Sequence, residues 1–285
     1  FNIHGDLTMA YPTVDAPFGL KPINLIGGLP FAGSTRQLPI QYGYATDIFY
    51  GDFVAIVRGT ITRLSVTSGG GDAGLIGVFL GCSYTDPNTK QKTFSQYYPS
   101  GTNAGDMMAY VSDDPNVVYK AVICSAGTTV ASGSRALVGQ NQAMLNNTGS
   151  TATGNSKNAV DQGNTLTTGT FPVRIVGLVE DTKSSVTTVG SSSSTTITCT
   201  ALPEALVIGT DVAYLDSSGN LIQTGSFVSA AAAAGATSVT INAAIAVPGS
   251  VTAIPASSTI VFTQFPEVLV KLNFAIHSYQ DATAV

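Results

Sequence analysis

Residues able to do chemistry are few in this sequence and widely spaced. The only histidines are His4 and His277 and the only cysteines Cys82, Cys124 and Cys199, so no His/Cys set has the short spacing of a zinc site. There is no HExxH, no GxxxxGK[ST] and no GxSxG, which removes the sequence signs of a zincin, a P-loop and a nucleophile elbow. Gly69, Gly71 and Gly74 satisfy GxGxxG, but the apolar run GLIGVFLG follows where a dinucleotide fingerprint needs a helix N-terminus; they read as a loop between strands. The adjacent acidic pairs are Asp113–Asp114 and Glu180–Asp181. Strand neighbours point to opposite faces, and Asp113-Asp114-Pro115-Asn116 has the residue types of a turn. Phe94, Tyr97, Tyr98 and Tyr110 could stack against a sugar, but in a chain without tryptophan they are read as core or subunit interface. No catalytic, metal-ligating or cofactor-binding residue is assigned.

The elements that would position these residues are strands. Short runs rich in β-branched and aromatic residues (DIFYGDFVAIV, GLIGVFLGCSY, TFSQYYP, DMMAYVS, VVYKAVICSAG, FPVRIVGLVED) are separated by Gly, Asn, Asp or Pro, an all-β pattern. Asp86, Pro87, Asn88 and Thr89 predict a hairpin between two aromatic runs. EVLVKLNFAIH alternates, with Val268, Val270, Leu272, Phe274 and Ile276 on a buried face and Lys271, Asn273 and His277 on a polar one. Cys124 falls in an apolar strand, and the cysteines read as buried small hydrophobes.

Three regions are expected. Residues 1–45 hold Pro12, Pro17, Pro22, Pro30 and Pro39 among several glycines, which argues against long helices and regular ladders. They read as an extended N-terminal arm whose Leu20, Ile23, Leu25, Ile26 and Phe31, with Tyr97 and Tyr98, are interface candidates against the arm's own domain or a neighbouring subunit. Removing residues 9–30 is then expected to leave a folded core. Residues 46–183 with 265–285 form a β-barrel or sandwich-like core domain. Residues 184–264, poor in charge and dense in Ser, Thr and Ala, form a small inserted β module with a joint at serines 191–194 and at most one helical turn at Ala230–Ala234.

Composition narrows the function. Lys and Arg number 12, Asp and Glu 17, and charged residues make up 10% of the chain, against roughly 25% in an average domain. A net charge of −5 lacks the basic patch a nucleic-acid binder needs. No apolar stretch is long enough for a transmembrane helix, so neither nucleic acid nor membrane is an expected partner. Met9 would make a natural start, so residues 1–8 point to processing or to a start upstream.

The runs MAYPTVDAPFGLKPINLIGGLPFAGSTRQLPI, FYGDFV, GVFLGCSYTDPNTKQKTFSQYYP and KLNFAIHSYQDATAV resemble a family of structural proteins of marine tailed bacteriophages, over about residues 9–182 and 266–285. TSVTINAAIAVPGSVTAIPASSTIVF is similar to a small β module recurring in phage head and fibre proteins. The resemblance implies a non-enzymatic virion protein without cofactors. It would decorate or cement the capsid surface, bind the major capsid protein, stabilise the shell and form a homo-oligomer, a trimer being favoured. The inserted module would face outward and is a candidate for binding a host-surface glycan. A tail or fibre component and an extracellular filament-forming surface protein remain as alternatives.

Overall fold

The computed structural model describes residues 17–65, 74–124, 126–128, 131, 137–166, 171–179, 184–187, 195–202, 205–215, 221–243, 254, 258–263, 266–273, 277 and 279. Outside these fall Gly69, Gly71, Glu180–Asp181, Phe274, Ile276, serines 191–194 and the first sixteen residues of the expected arm. The chain divides into two compact units. The larger comprises Ala16–Thr128, Leu137–Gly177 and Val268–Val285; the smaller is built on Leu178–Glu267.

Eleven strands precede the smaller unit's main segment: β1 (Lys21–Leu25), β2 (Arg36–Pro39), β3 (Phe53–Val57), β4 (Thr60–Arg63), β5 (Leu75–Thr85), β6 (Lys92–Ser95), β7 (Met108–Ser112), β8 (Val117–Cys124), β9 (Asn141–Leu145), β10 (Ala159–Leu166) and β11 (Val173–Leu178). Then follow β12 (Ser184–Thr187), β13 (Thr196–Thr198), β14 (Asp211–Leu215), β15 (Leu221–Phe227), β16 (Ser238–Thr240), β17 (Thr259–Thr263) and β18 (Glu267–Leu272). There is no α-helix among the described residues, and the protein is all-β.

In the larger unit one sheet runs β1-β8-β10-β9-β11-β18, and a further β8–β18 pairing closes it into a barrel. Closure gives β8 partners on both sides, and it explains why β8 is buried at every position but Lys120. The second sheet runs β2-β7-β5-β3-β4, with β6 paired to β5, and a parallel bridge from Ile40 to Ile61 joins its two ends. Its core includes Ile48, Val54, Ile61, Phe79, Tyr98 and Val111. Local signals set the turns. Arg58 and Gly59 both have positive φ between Val57 and Thr60, the two-residue turn that matches strand twist. In the β5–β6 hairpin, Asp86 Oδ1 accepts the backbone N–H groups of Asn88 and Thr89. Asp114 does the same for Asn116 in the β7–β8 turn.

Residues 17–45 correct the expected arm, because they are woven into the larger unit. β1 pairs antiparallel with β8, the irregularity between Pro22 and Asn24 absorbing the proline. β2 pairs with β7, ending on Pro39. Both are edge positions, where a missing N–H is tolerated. Removing residues 9–30 would therefore strip a strand from the barrel and would not leave the core intact.

In the smaller unit, β12-β17-β14-β15 form one sheet and β13–β16 a second ladder, around Ile197, Leu202, Val212, Val228, Ile260 and Phe262. The Ala230–Ala234 segment is not helical: Ala232 makes an antiparallel bridge with Leu206, because paired extended backbone satisfies groups that one isolated turn would leave open. The Ser217–Asn220 turn and the Pro248, Gly249 and Pro255 breaks lie outside the described residues.

Candidate functional site

The larger unit carries an open cavity of about 470 Å³. Its floor is a β-bulge. Phe79 pairs with Val111 and Gly81 with Tyr110, so Leu80 is an extra residue between the two registers, and bulges re-aim side chains in this way. Gly81 sits at φ +136°, and a Cβ there would meet the Ser95 carbonyl oxygen at 3.0 Å, so only glycine lets β6 lie this close. β6 supplies Phe94 and Ser95, Gln96 follows directly, and β7 supplies Tyr110. Tyr50 completes the lining, held by a parallel bridge with Asn155. Phe94 is 72% exposed. Gln96 Nε2 donates to Asn155 Oδ1 at 2.8 Å, and a Cβ on Gly154, at φ +70°, would come 3.1 Å from the Gln96 Cβ. Burial raises the Tyr50 phenol above its ordinary range, with no hydrogen bond contributing.

The loop carrying Asn155 is anchored by a buried network on Asp52. Oδ1 accepts Ser156 Oγ at 2.6 Å and Asn158 Nδ2 at 3.0 Å; Oδ2 accepts the Phe49 N–H at 2.9 Å and lies 2.9 Å from Arg63 Nε. Arg63 also donates to the Asn147 carbonyl, and Asn147 N–H to Asn158 Oδ1. Burial pushes the Asp52 carboxyl up; Arg63 and the hydrogen bonds from Ser156, Phe49 and Arg63 pull it down without cancelling the rise. Three hydrogen bonds and the Arg63 charge hold both its oxygens, so it is read as a structural carboxylate.

Near the C-terminus Tyr279 Oη and Arg36 both bond Asp113 Oδ2, and the Arg36 guanidinium lies 5.0 Å from the Tyr279 ring centre. His277 is fully buried, which corrects its assignment to a polar strand face: it forms a parallel bridge with Leu75, and its ring packs 5.0 Å from that of Tyr279. Its Nδ1 accepts the Tyr279 N–H; its Nε2 has no hydrogen bond of sound geometry, although backbone of Asp113 and Ile76 is close enough to favour the charged ring. Burial dominates and lowers its pKa. The folded chain then binds this proton less readily than the unfolded chain, so the contribution to stability is complete above about pH 6.5 and is lost as pH falls below it. Denaturant midpoints should drop between pH 7.5 and 5.5, and His277→Gln should reduce that drop; an unchanged slope in the variant would refute the assignment.

The remaining candidates are placed as follows. Leu20 and Tyr98 are fully buried in the chain's own core, so of the two surfaces expected for them they meet the chain's own domain and present nothing to a partner. Leu25, Phe31 and Tyr97 are half-buried, Tyr97 stacking on Phe49 at 5.5 Å. Ile23 and Ile26 are exposed. Of the aromatic group only Phe94 and Tyr110 share the cavity; Tyr50 and the bulge were missed, and the alternation in TFSQ would place Phe94 on a buried face, not an exposed one. Cys82, Cys124 and Cys199 are buried free thiols, and burial pushes the first two up to about 12, which keeps them protonated and unreactive. No group of three metal-ligating side chains occurs among the described residues. No family model, curated protein or solved structure matches the chain.

Proposed function

We propose that the chain is a non-enzymatic virion structural protein, a decoration or cement protein that binds the major capsid protein on the head surface as a symmetric homo-oligomer, with a trimer favoured, and stabilises the shell. The observation that carries this reading is an apolar hairpin tip on the larger unit. Asn24 bridges Pro30, and Leu25 N–H bonds the Leu29 carbonyl. The turn between them runs through Gly27 and Gly28, both at positive φ with nothing within 4 Å of a Cβ. Ile23, Ile26 and Leu29 are 39%, 48% and 65% exposed on this hairpin. Full burial of such a side chain is worth roughly 1.5–3 kcal/mol, and a partner would supply the part of it that the fold leaves exposed. The sparse charge of the chain lowers the cost of drying a contact surface.

The resemblance to phage structural proteins supplies the choice of partner. The test is electron cryomicroscopy of particles carrying the wild-type chain, together with the double variant Ile26→Asp, Leu29→Asp. Regular density on the head, lost in the variant while its unfolding midpoint stays unchanged, is the expected result. Density on the tail would replace decoration with a tail role. Normal incorporation of the variant would remove the hairpin from the contact.

A further inference from the structure

We propose that the cavity over the β5 bulge is a saccharide-binding subsite, taking one neutral pyranose ring of a longer glycan. This differs from glycan binding by the smaller unit, and it does not depend on where the chain sits in a particle. The cavity holds three aromatic side chains, Tyr50, Phe94 and Tyr110, and none of its lining residues is charged. An occupant must therefore offer an apolar face to rings and hydroxyls to amide and phenol groups while carrying no net charge. A pyranose does this: its axial C–H face packs on an aromatic face and its equatorial hydroxyls point outward.

The polar groups are set for that partner. The Gln96 amide is oriented by its bond to Asn155, which leaves Oε1 as an acceptor. Tyr50 lines the cavity, and its hydroxyl can both donate and accept. Tyr110 Oη reaches Ser83 only weakly, at 3.4 Å. The volume, about 470 Å³, lies within the range of small-ligand sites, and its open mouth lets the rest of a glycan continue into solvent. The Tyr50 wall is held from inside, tied through Ser156 to the buried Asp52, and a wall already in place loses less entropy on binding. Phe94, exposed at 72% and on a strand paired only to β5, is the residue whose exposure the fold itself does not require.

Saturation-transfer NMR on the full chain tests this with maltotetraose, cellotetraose, mannotetraose and chitotetraose, each at about 10 mM to suit millimolar affinity. Transfer to at least one probe is expected. It should fall about tenfold in Phe94→Ala and persist in Phe94→Tyr, which keeps the ring face. Circular dichroism of both variants checks folding. Absence of transfer to all four probes, or transfer undiminished in Phe94→Ala, overturns the proposal. So does a lower oligomer mass in Phe94→Ala, which would make the cavity a contact between copies. Failure of head binding in the hairpin variant would leave this result untouched, because the two are measured on different residues and different samples.

Discussion

Replacing Asp52 with alanine is expected to cost about 3–5 kcal/mol of the larger unit's stability, because it removes one partner of a buried ion pair and leaves the other in place. Three donors converge on this carboxylate, Ser156 Oγ, Asn158 Nδ2 and the Phe49 N–H, and Arg63 pairs with it by charge. Alanine strands all of them, and the Arg63 side chain is only 19% exposed, so water cannot restore the pairing cheaply. Asp52→Asn should cost nearly as much, since an amide brings its own donors against donors and offers Arg63 no charge. Ser156→Ala removes a single bond and should cost about 1 kcal/mol. The raised pKa of Asp52 gives the complementary sign: a carboxyl pushed up by burial favours folding less as pH rises above about 3.8. Its value to the protein is positional. Denaturant unfolding followed by hydrogen exchange locates the loss; a change below about 1 kcal/mol in Asp52→Ala would show that the network does not hold the loop.

The positional role reaches the surface. Ser156 N–H bonds the Tyr50 carbonyl and Tyr50 N–H bonds the Gly154 carbonyl, so the residues that satisfy Asp52 inside also set the wall of the aromatic cavity outside. Phe49, which gives its N–H to Asp52, stacks on Tyr97 and lies against Gly149, where a Cβ would come 2.3 Å from its ring. Asp52→Ala should therefore weaken saccharide transfer as well as stability.

How much of this could be read from the sequence follows from how local each cause is. The β5–β6 hairpin was legible because Asp86 closes it through bonds two and three residues away. The alternating Val268, Val270 and Leu272 were legible because a strand with one buried face repeats every two residues. The fate of residues 17–45 was not, because the signs of an arm, its prolines and glycines, are equally the signs of edge strands and tight turns. What decides between them is pairing with β8 and β7, far along the chain. His277 escaped for the same reason: its alternation was right for a polar face, but the strand ends at Leu272 and the chain re-enters beside Leu75. The cavity needed three separate facts, a bulge, a bridge to Asn155 and a glycine floor, and only Phe94 and Tyr110 left a trace in composition.

Gly77→Ala is expected to be as damaging as the loss of Asp52, through space alone. Gly77 lies in β5, and its φ is not in the left-handed region, so alanine would suit its backbone conformation. The obstacle is the corner between β7 and β8. A Cβ on residue 77 would lie 2.1 Å from the Ser112 carbonyl oxygen, 2.9 Å from its carbon and 3.0 Å from the Asp113 Cα. These are main-chain atoms, and they are fixed twice over: Ser112 pairs with Val78 in the ladder, and the buried Tyr119 hydroxyl bonds both the Ser112 side chain and its carbonyl. To admit one methyl group the corner must retreat, disturbing the β5–β7 ladder and the Asp113 contacts with Arg36 and Tyr279. Overpacking of this kind costs about 1–3 kcal/mol where side chains can yield, and backbone on backbone places it at or above the upper end. Gly105→Ala is the control, with no positive φ and nothing within 4 Å of its Cβ, and should stay within about 0.5 kcal/mol of wild type. Unfolding midpoints of the two variants decide the matter: if Gly77→Ala is as mild as Gly105→Ala, β5 does not lie as close to the β7–β8 corner as the second sheet requires, and the corner that carries Asp113 is free to move.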